Sequence, residues 1–223
     1  MINFITSNLL WSQAKTIWYM LIIQGIFALA LYRSGNTMLA AIVLALLLIE
    51  LPFTLYFFRN PTRTNKADKD TTLLCPADGK VVAYEHINHP DGYTQKVSIF
   101  LSPLDVHVQW TPIGGTVEHI TYKPGKFVPA FLPKSSELNE RMDMVLKNNQ
   151  GRILVRQIAG TVARRIVVWL PEKAEVHQGQ KYGMIKFGSR VDIFLPATVN
   201  VLVHPGQRVH GGLTELGKWS CSH

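Results

Sequence analysis

The chain has 223 residues, 47% of them hydrophobic, with 23 Lys and Arg against 15 Asp and Glu, a formal net charge of +8. That length holds one domain with accessories, and the hydrophobic share supplies a sizeable core. With two cysteines, eight scattered histidines, no HExxH or paired CxxC spacing and no phosphate-cradling glycine loop, a transition-metal or nucleotide-dependent enzyme is disfavoured.

Residues 17–32 and 37–58 are nearly free of charge, and Arg33-Ser34-Gly35-Asn36 between them forms a turn. The second run is long enough to span a bilayer; the first needs tilt or flanking residues to do so. Glu50 and Pro52 confine the apolar core of the second run to 38–49, so an interfacial hairpin stays open beside a spanning one. A buried helical hairpin is the soluble alternative. The amino terminus has no basic region and no small-residue cleavage site follows the first run, so residues 1–58 read as a retained anchor and not a signal peptide. Arg59, Arg63, Lys66 and Lys69 follow directly, which by the positive-inside rule puts the remainder in the cytoplasm. There Cys75 and Cys221 are expected as free thiols. All but two of the 23 basic residues lie outside the anchor, which suits attraction to anionic headgroups. No zinc-finger, helix-turn-helix or RNP-like pattern supports nucleic-acid binding.

A polar linker, 59–72, leads to a β-rich domain, 73–223. Strands are expected at 80–84, 95–101, 116–122, 152–158, 164–169, 184–187, 191–195 and 199–203, divided by Pro- and Gly-containing turns. Short strands at close spacing predict a mainly β fold, a compact sandwich or barrel-sandwich-like domain behind the helical hairpin. Only 135–147 reads as a helix, capped by Ser135 or Ser136, with Asn139, Glu140 and Arg141 on its solvated face.

The stretch from Gly183 to Pro196 alternates apolar and polar residues but is interrupted by Gly188-Ser189. A serine Oγ set against the carbonyl of a preceding glycine can attack it and turn the peptide into an ester, although Gly-Ser is also a common loop dipeptide. Asp78 lies in a Pro-Ala-Asp-Gly turn, where its side chain commonly caps its own backbone. His107 is embedded in apolar alternation, where a hydrogen-bonded core histidine is the ordinary reading.

Taken together, FFRNPTR, CPADGKV, IFLSPLDVHVQWTPIGGTV, YKPGKF, NER, GRILVRQIAGTVARRIV and GMIKFGSRVDIFLP resemble, in order, the short prokaryotic subfamily of phosphatidylserine decarboxylase proenzymes. The resemblance implies self-cleavage at Gly188-Ser189 into a membrane-bound chain, 1–188, and a short chain, 189–223, capped by a pyruvoyl group made from Ser189. It also implies that this ketone forms a Schiff base with phosphatidylserine and accepts the electron pair left as carbon dioxide departs, giving phosphatidylethanolamine with no diffusible cofactor. Asp78 and His107 match the family's catalytic aspartate and first histidine, with Asp78 expected to orient His107. Trp110 stands where longer relatives have a second histidine. Arg190 and the Arg164-Arg165 pair are candidates for the anionic headgroup or plain surface charges. Two other readings remain open at this point: a non-enzymatic adaptor or lipoyl-like carrier, against which no hairpin-tip lysine stands out, and a serine hydrolase of Ser189, His107 and Asp78, against which there is no GxSxG elbow.

Overall fold

The computed structural model describes residues 11–129, 135–160, 165–185 and 189–220. The chain forms two units, Met1–Thr62 and Arg63–His223.

In the first unit a 3-10 turn, Trp11–Ala14, leads into α1 (Lys15–Arg33), and a tight reversal returns the chain as α2 (Thr37–Phe57). The reversal is closed by the Ser34 and Asn36 amides, which donate to the Ala30 and Leu31 carbonyls at 3.0 Å each. A helix in water shows one apolar stripe, but here Ile23, Ile26, Met38, Leu48 and Ile49 all face outward while Leu21, Ala28 and Ala40 are buried. Both helices are long and apolar enough to cross a bilayer, which suits association with a membrane.

Among the described residues the second unit has fourteen strands in three antiparallel sheets. Along the chain they are β1 (Thr72–Leu74), β2 (Gly79–His86), β3 (Gln95–Leu101), β4 (Val108–Trp110) and β5 (Gly115–Lys123), then β6 (Arg141–Lys147), β7 (Arg152–Ala159), β8 (Ile166–Val168), β9 (Glu175–Val176) and β10 (Lys181–Ile185), and finally β11 (Ser189–Leu195), β12 (Val199–Val201), β13 (Arg208–Val209) and β14 (Glu215–Trp219). The largest sheet runs β13-β2-β3-β11-β7-β6-β5-β9; the smaller two run β4-β10-β8 and β1-β14-β12. The fold is thus mainly β behind a pair of apolar helices.

Alternation along the central strands sets the core. Val97, Ile99 and Leu101 of β3, Ile153, Val155 and Ala159 of β7, and Val191, Ile193 and Leu195 of β11 share one face and pack together without solvent exposure. The opposite face of the same strands is also covered, by charge pairs beside a small apolar cluster of Tyr93, Leu154 and Phe194. Ser98, Asp192, Arg156 and Asp143 form one cross-strand row. Arg156 binds Asp143 through two bonds of 2.6 and 2.9 Å, Arg190 Nε donates to Asp192 Oδ1 at 2.6 Å, and Ser136 Oγ donates to Asp192 Oδ2 at 2.6 Å. Buried charges of this kind survive only when paired and hydrogen-bonded.

The expected helix at 135–147 is not one element. Only Ser135–Leu138 is helical (α3), and 141–147 is β6, paired on one side with β5 and on the other with β7. Met142, Met144 and Leu146 alternate at the strand period, and two neighbouring ladders outweigh a helical reading. Asn139, expected on a solvated face, is fully buried. Its Nδ2 donates to the Val128 and Ala159 carbonyls at 2.7 Å each, and its Oδ1 accepts from the Val128 amide at 3.0 Å.

Asn139→Ala removes three hydrogen bonds from a dry position. It is expected to cost about 3 kcal/mol of stability by denaturant unfolding; a loss below about 1 kcal/mol would contradict the stitching role.

Candidate active site

Ser189 opens β11, opposite Leu101 of β3 and Ala159 of β7. Strand parity puts its side chain on the core face with Val191 and Ile193. The residue is fully buried, and its Oγ makes no hydrogen bond to a described residue. A buried hydroxyl without a partner costs about 1–3 kcal/mol, so it asks for a reason. Gly188, on the other side of the expected cleavage, lies outside the described residues, as do Lys186 and Phe187.

His107 lies between the end of β3, which pairs with Ser189, and β4, which pairs with β10. The Ile185 amide, four residues before Ser189, donates to the His107 carbonyl at 3.3 Å, so His107 is fastened to the strand that leads into the Gly-Ser step. Its ring is buried, with Nδ1 2.9 Å from the Asp105 carbonyl oxygen. A carbonyl only accepts, so Nδ1 carries the hydrogen of the neutral ring and Nε2 is its basic atom. The Asp105 side chain fixes that carbonyl's turn. Its Oδ2 accepts from the Ser102 amide at 2.8 Å and its Oδ1 from Arg208 at 2.5 Å.

The Asp78 carboxylate, expected to orient His107, is engaged by Arg63 and the Gly211 amide. It accepts two bonds from Arg63, at 2.5 and 2.8 Å, and one from the Gly211 amide at 2.8 Å; His210 Nδ1 stands 3.8 Å away. The turn that carries it closes on Gly79, at φ 149°, where a Cβ would collide with the Phe100 carbonyl. Arg63 also donates to the Gly211 carbonyl at 2.6 Å and lies over the Trp110 ring, 4.3 Å from its centroid. Trp110 is buried against Gly211 and Gly212, and a Cβ at Gly211 would fall 2.5 Å from the indole. The indole therefore fills space beside Asp78, and burial followed by the Arg63 charge pulls nearby Lys181 below its usual pKa.

Two amides escaped sequence reasoning. Gln157 of β7 faces the core one register step from Ser189, since Gln157 pairs with Val191 and Ala159 with Ser189. Its Nε2 donates to Gln109 Oε1 at 2.6 Å, and Gln109 Nε2, fully buried, has no partner among the described residues. Their one available signal was a carboxamide at a core-facing strand position. Asp105 was hidden likewise, because it acts through its main chain.

Arg190 is neither a surface charge nor on the Ser189 face: it is buried with Asp192 and with Ser98 Oγ, at 2.7 Å. Arg165 is exposed, and Arg164 lies outside the described residues. Among the described residues no three His, Cys, Asp or Glu side chains group as a metal site. Cys75 is a buried free thiol, and Cys221 lies outside the described residues.

Residues 51–216 match the family model described as phosphatidylserine decarboxylase. A protein of Amoebophilus asiaticus is 42% identical over 205 residues, 90% of each chain. One of Chlorobium chlorochromatii is 47% identical over 77% of this chain and 81% of its own, and one of Chlorobium phaeobacteroides 44% over 75% and 79%. All three are called phosphatidylserine decarboxylase proenzyme.

Two outcomes are expected at the Asp78 turn. Asp78→Ala strands the Arg63 guanidinium and frees the Gly211 amide, a loss of about 3 kcal/mol in thermal or denaturant unfolding; an unchanged midpoint would contradict it. Burial, and then the Asp78 charge, push the Cys75 thiol well above its ordinary pKa. It should therefore resist iodoacetamide in the folded chain up to about pH 9 and label on unfolding, read by peptide mapping. Ready labelling of folded protein would contradict this.

Proposed function

The chain belongs to the phosphatidylserine decarboxylase family, and from that membership we propose that its reactive group is made from Ser189 by self-cleavage after Gly188. The reaction of the family removes the serine carboxylate of phosphatidylserine as carbon dioxide and leaves phosphatidylethanolamine. The observation that carries the proposal is the Ser189 hydroxyl, buried and without a hydrogen bond to a described residue, at the first position of a strand fixed along both edges.

Self-cleavage begins when Ser189 Oγ adds to the Gly188 carbonyl carbon as its proton leaves, and the peptide C–N bond breaks to give an ester and a free amine at residue 189. Loss of the Cα proton expels the Gly188 carboxylate, and water then replaces ammonia, leaving a ketone at residue 189. His107 Nε2 takes the hydroxyl proton, with the ring held in the required tautomer by the Asp105 carbonyl. The fit of a ketone here is supported by the room for hydrogen bonding that Ser189 Oγ and Gln109 Nε2 leave unused. When formed, it supplies an electron sink for the pair released with carbon dioxide, so no diffusible cofactor is needed. His107, protonated, returns a proton to the substrate carbon.

Scission need not separate the products. Residues 189–223 contribute β11 to β14, and three of these pair with strands from before the cut: β11 with β3 and β7, β13 with β2, and β14 with β1. The two chains therefore stay together as a heterodimer. The apolar helices suit a lipid substrate, because tethering at the interface raises its local concentration. The basic residues after α2 support a cytoplasmic side for the second unit.

Ser189→Ala should accumulate as one 25.1 kDa polypeptide with no decarboxylase activity. His107→Ala should slow cleavage about 100-fold or more in a pulse–chase, the size of a lost general base. Normal splitting of the Ser189 variant would refute the assignment, and normal splitting of the His107 variant would remove His107 from it.

A further inference from the structure

Two turns near the candidate site are braced by hydrogen bonds, yet each holds a leucine out in water. In the first, Ser102-Pro103-Leu104-Asp105, the Asp105 amide donates to the Ser102 carbonyl at 2.8 Å and the Ser102 amide to Asp105 Oδ2 at 2.8 Å. Proline and this double closure stiffen the turn, and Leu104 at its tip is 61% exposed. In the second, His210 to Thr214, the Leu213 and Thr214 amides donate to the His210 carbonyl at 3.1 and 2.9 Å, and the His210 amide to Thr214 Oγ1 at 2.9 Å. Leu213 is 43% exposed. A flexible loop could fold such side chains away; these turns cannot.

The two turns are joined. Arg208, two residues before His210, donates to Asp105 Oδ1 at 2.5 Å across the gap. Its side chain is still 66% exposed, and its ladder partner Lys80 and neighbour His210 are exposed as well. Asp105 and Asp78 are buried and engaged, the first with Arg208 and Ser102 and the second with Arg63 and Gly211, while exposed Glu215 is paired with Lys218 at 3.6 Å. The edge thus shows water two apolar tips beside Arg208, Lys80 and His210, with the acids near them buried or paired. Arg63, where the chain enters this unit, donates to the Gly211 carbonyl inside the second turn. The first turn runs directly into His107.

We propose that the Leu104 and Leu213 turns are a bilayer-docking edge that seats the catalytic unit on an anionic phospholipid surface. The leucines enter the headgroup boundary while Arg208 and Lys80 meet lipid phosphates and carboxylates. Phosphatidylserine supplies both groups, and the edge that rests on it is the edge that leads to His107. This rests on the decarboxylase reading and adds how the bilayer-bound substrate reaches the site.

The full-length double variant Leu104→Asp, Leu213→Asp and the unaltered chain would be reconstituted into phosphatidylcholine vesicles. Each would be given either long-chain phosphatidylserine within the bilayer or dihexanoyl-phosphatidylserine dissolved as monomers. The variant should release carbon dioxide from the bilayer substrate about tenfold more slowly or worse, the effect of two leucines denied burial, and match the unaltered chain on the monomers. Equal rates on bilayer substrate overturn the proposal, and so does a parallel loss on both substrates, which would make the turns part of the catalytic framework. If the unaltered chain decarboxylates neither lipid, it is the enzyme reading that fails.

Discussion

A strand hydrogen-bonded along both edges has almost no freedom to shift, and β11 is such a strand from its first residue to its last but one. Ser189 stands at its start, so the backbone that carries the hydroxyl is fixed by β3 and β7 before any chemistry begins. Pre-organisation of this kind removes the orientational part of a barrier, which for well-placed intramolecular reactions is about 7–11 kcal/mol. If the bond before it is cut as proposed, the same ladders keep the strand in place. One constraint would then serve both the proposed maturation and the finished enzyme.

The sheet's two faces around that strand use different physics. On the Ser189 side the packing is aliphatic, which keeps water away from the hydroxyl and from the amides of Gln109 and Gln157. On the other side the row Ser98, Asp192, Arg156 and Asp143, with Arg190 beside it, buries charge under charge. Replacing such a network by hydrocarbon is often neutral in stability. Its value here is geometric: Arg190, next to Ser189 in the chain, is held by Asp192 and Ser98, so the residue after the serine is pinned from the face opposite the hydroxyl.

Much of this was legible in the sequence. The apolar runs gave the helix pair, the short alternating segments gave a mainly β domain, and the ordered blocks ending in FGSR gave the family. What misled was helical-looking composition in 141–147, where Met142, Met144 and Leu146 obey the strand period and two neighbouring strands decide the outcome. Asp78 and His107 stand in motifs that resemble the family's catalytic pair, but motif proximity cannot show that the carboxylate turns to Arg63 while the imidazole is held by a main-chain carbonyl. A backbone atom carries no residue-type signal, which is why Asp105 went unseen although SPLD was in plain view. Trp110 shows the reverse case: the glycines and the guanidinium packed on its ring give its indole a structural place that the motif alone did not show.

The most direct test of the account is the intact mass of the purified, active, unaltered chain. It predicts two polypeptides, the smaller beginning at residue 189, lighter than its sequence by one ammonia and gaining two hydrogens on borohydride treatment. A single unbroken polypeptide of 25.1 kDa that still releases carbon dioxide from phosphatidylserine would contradict it.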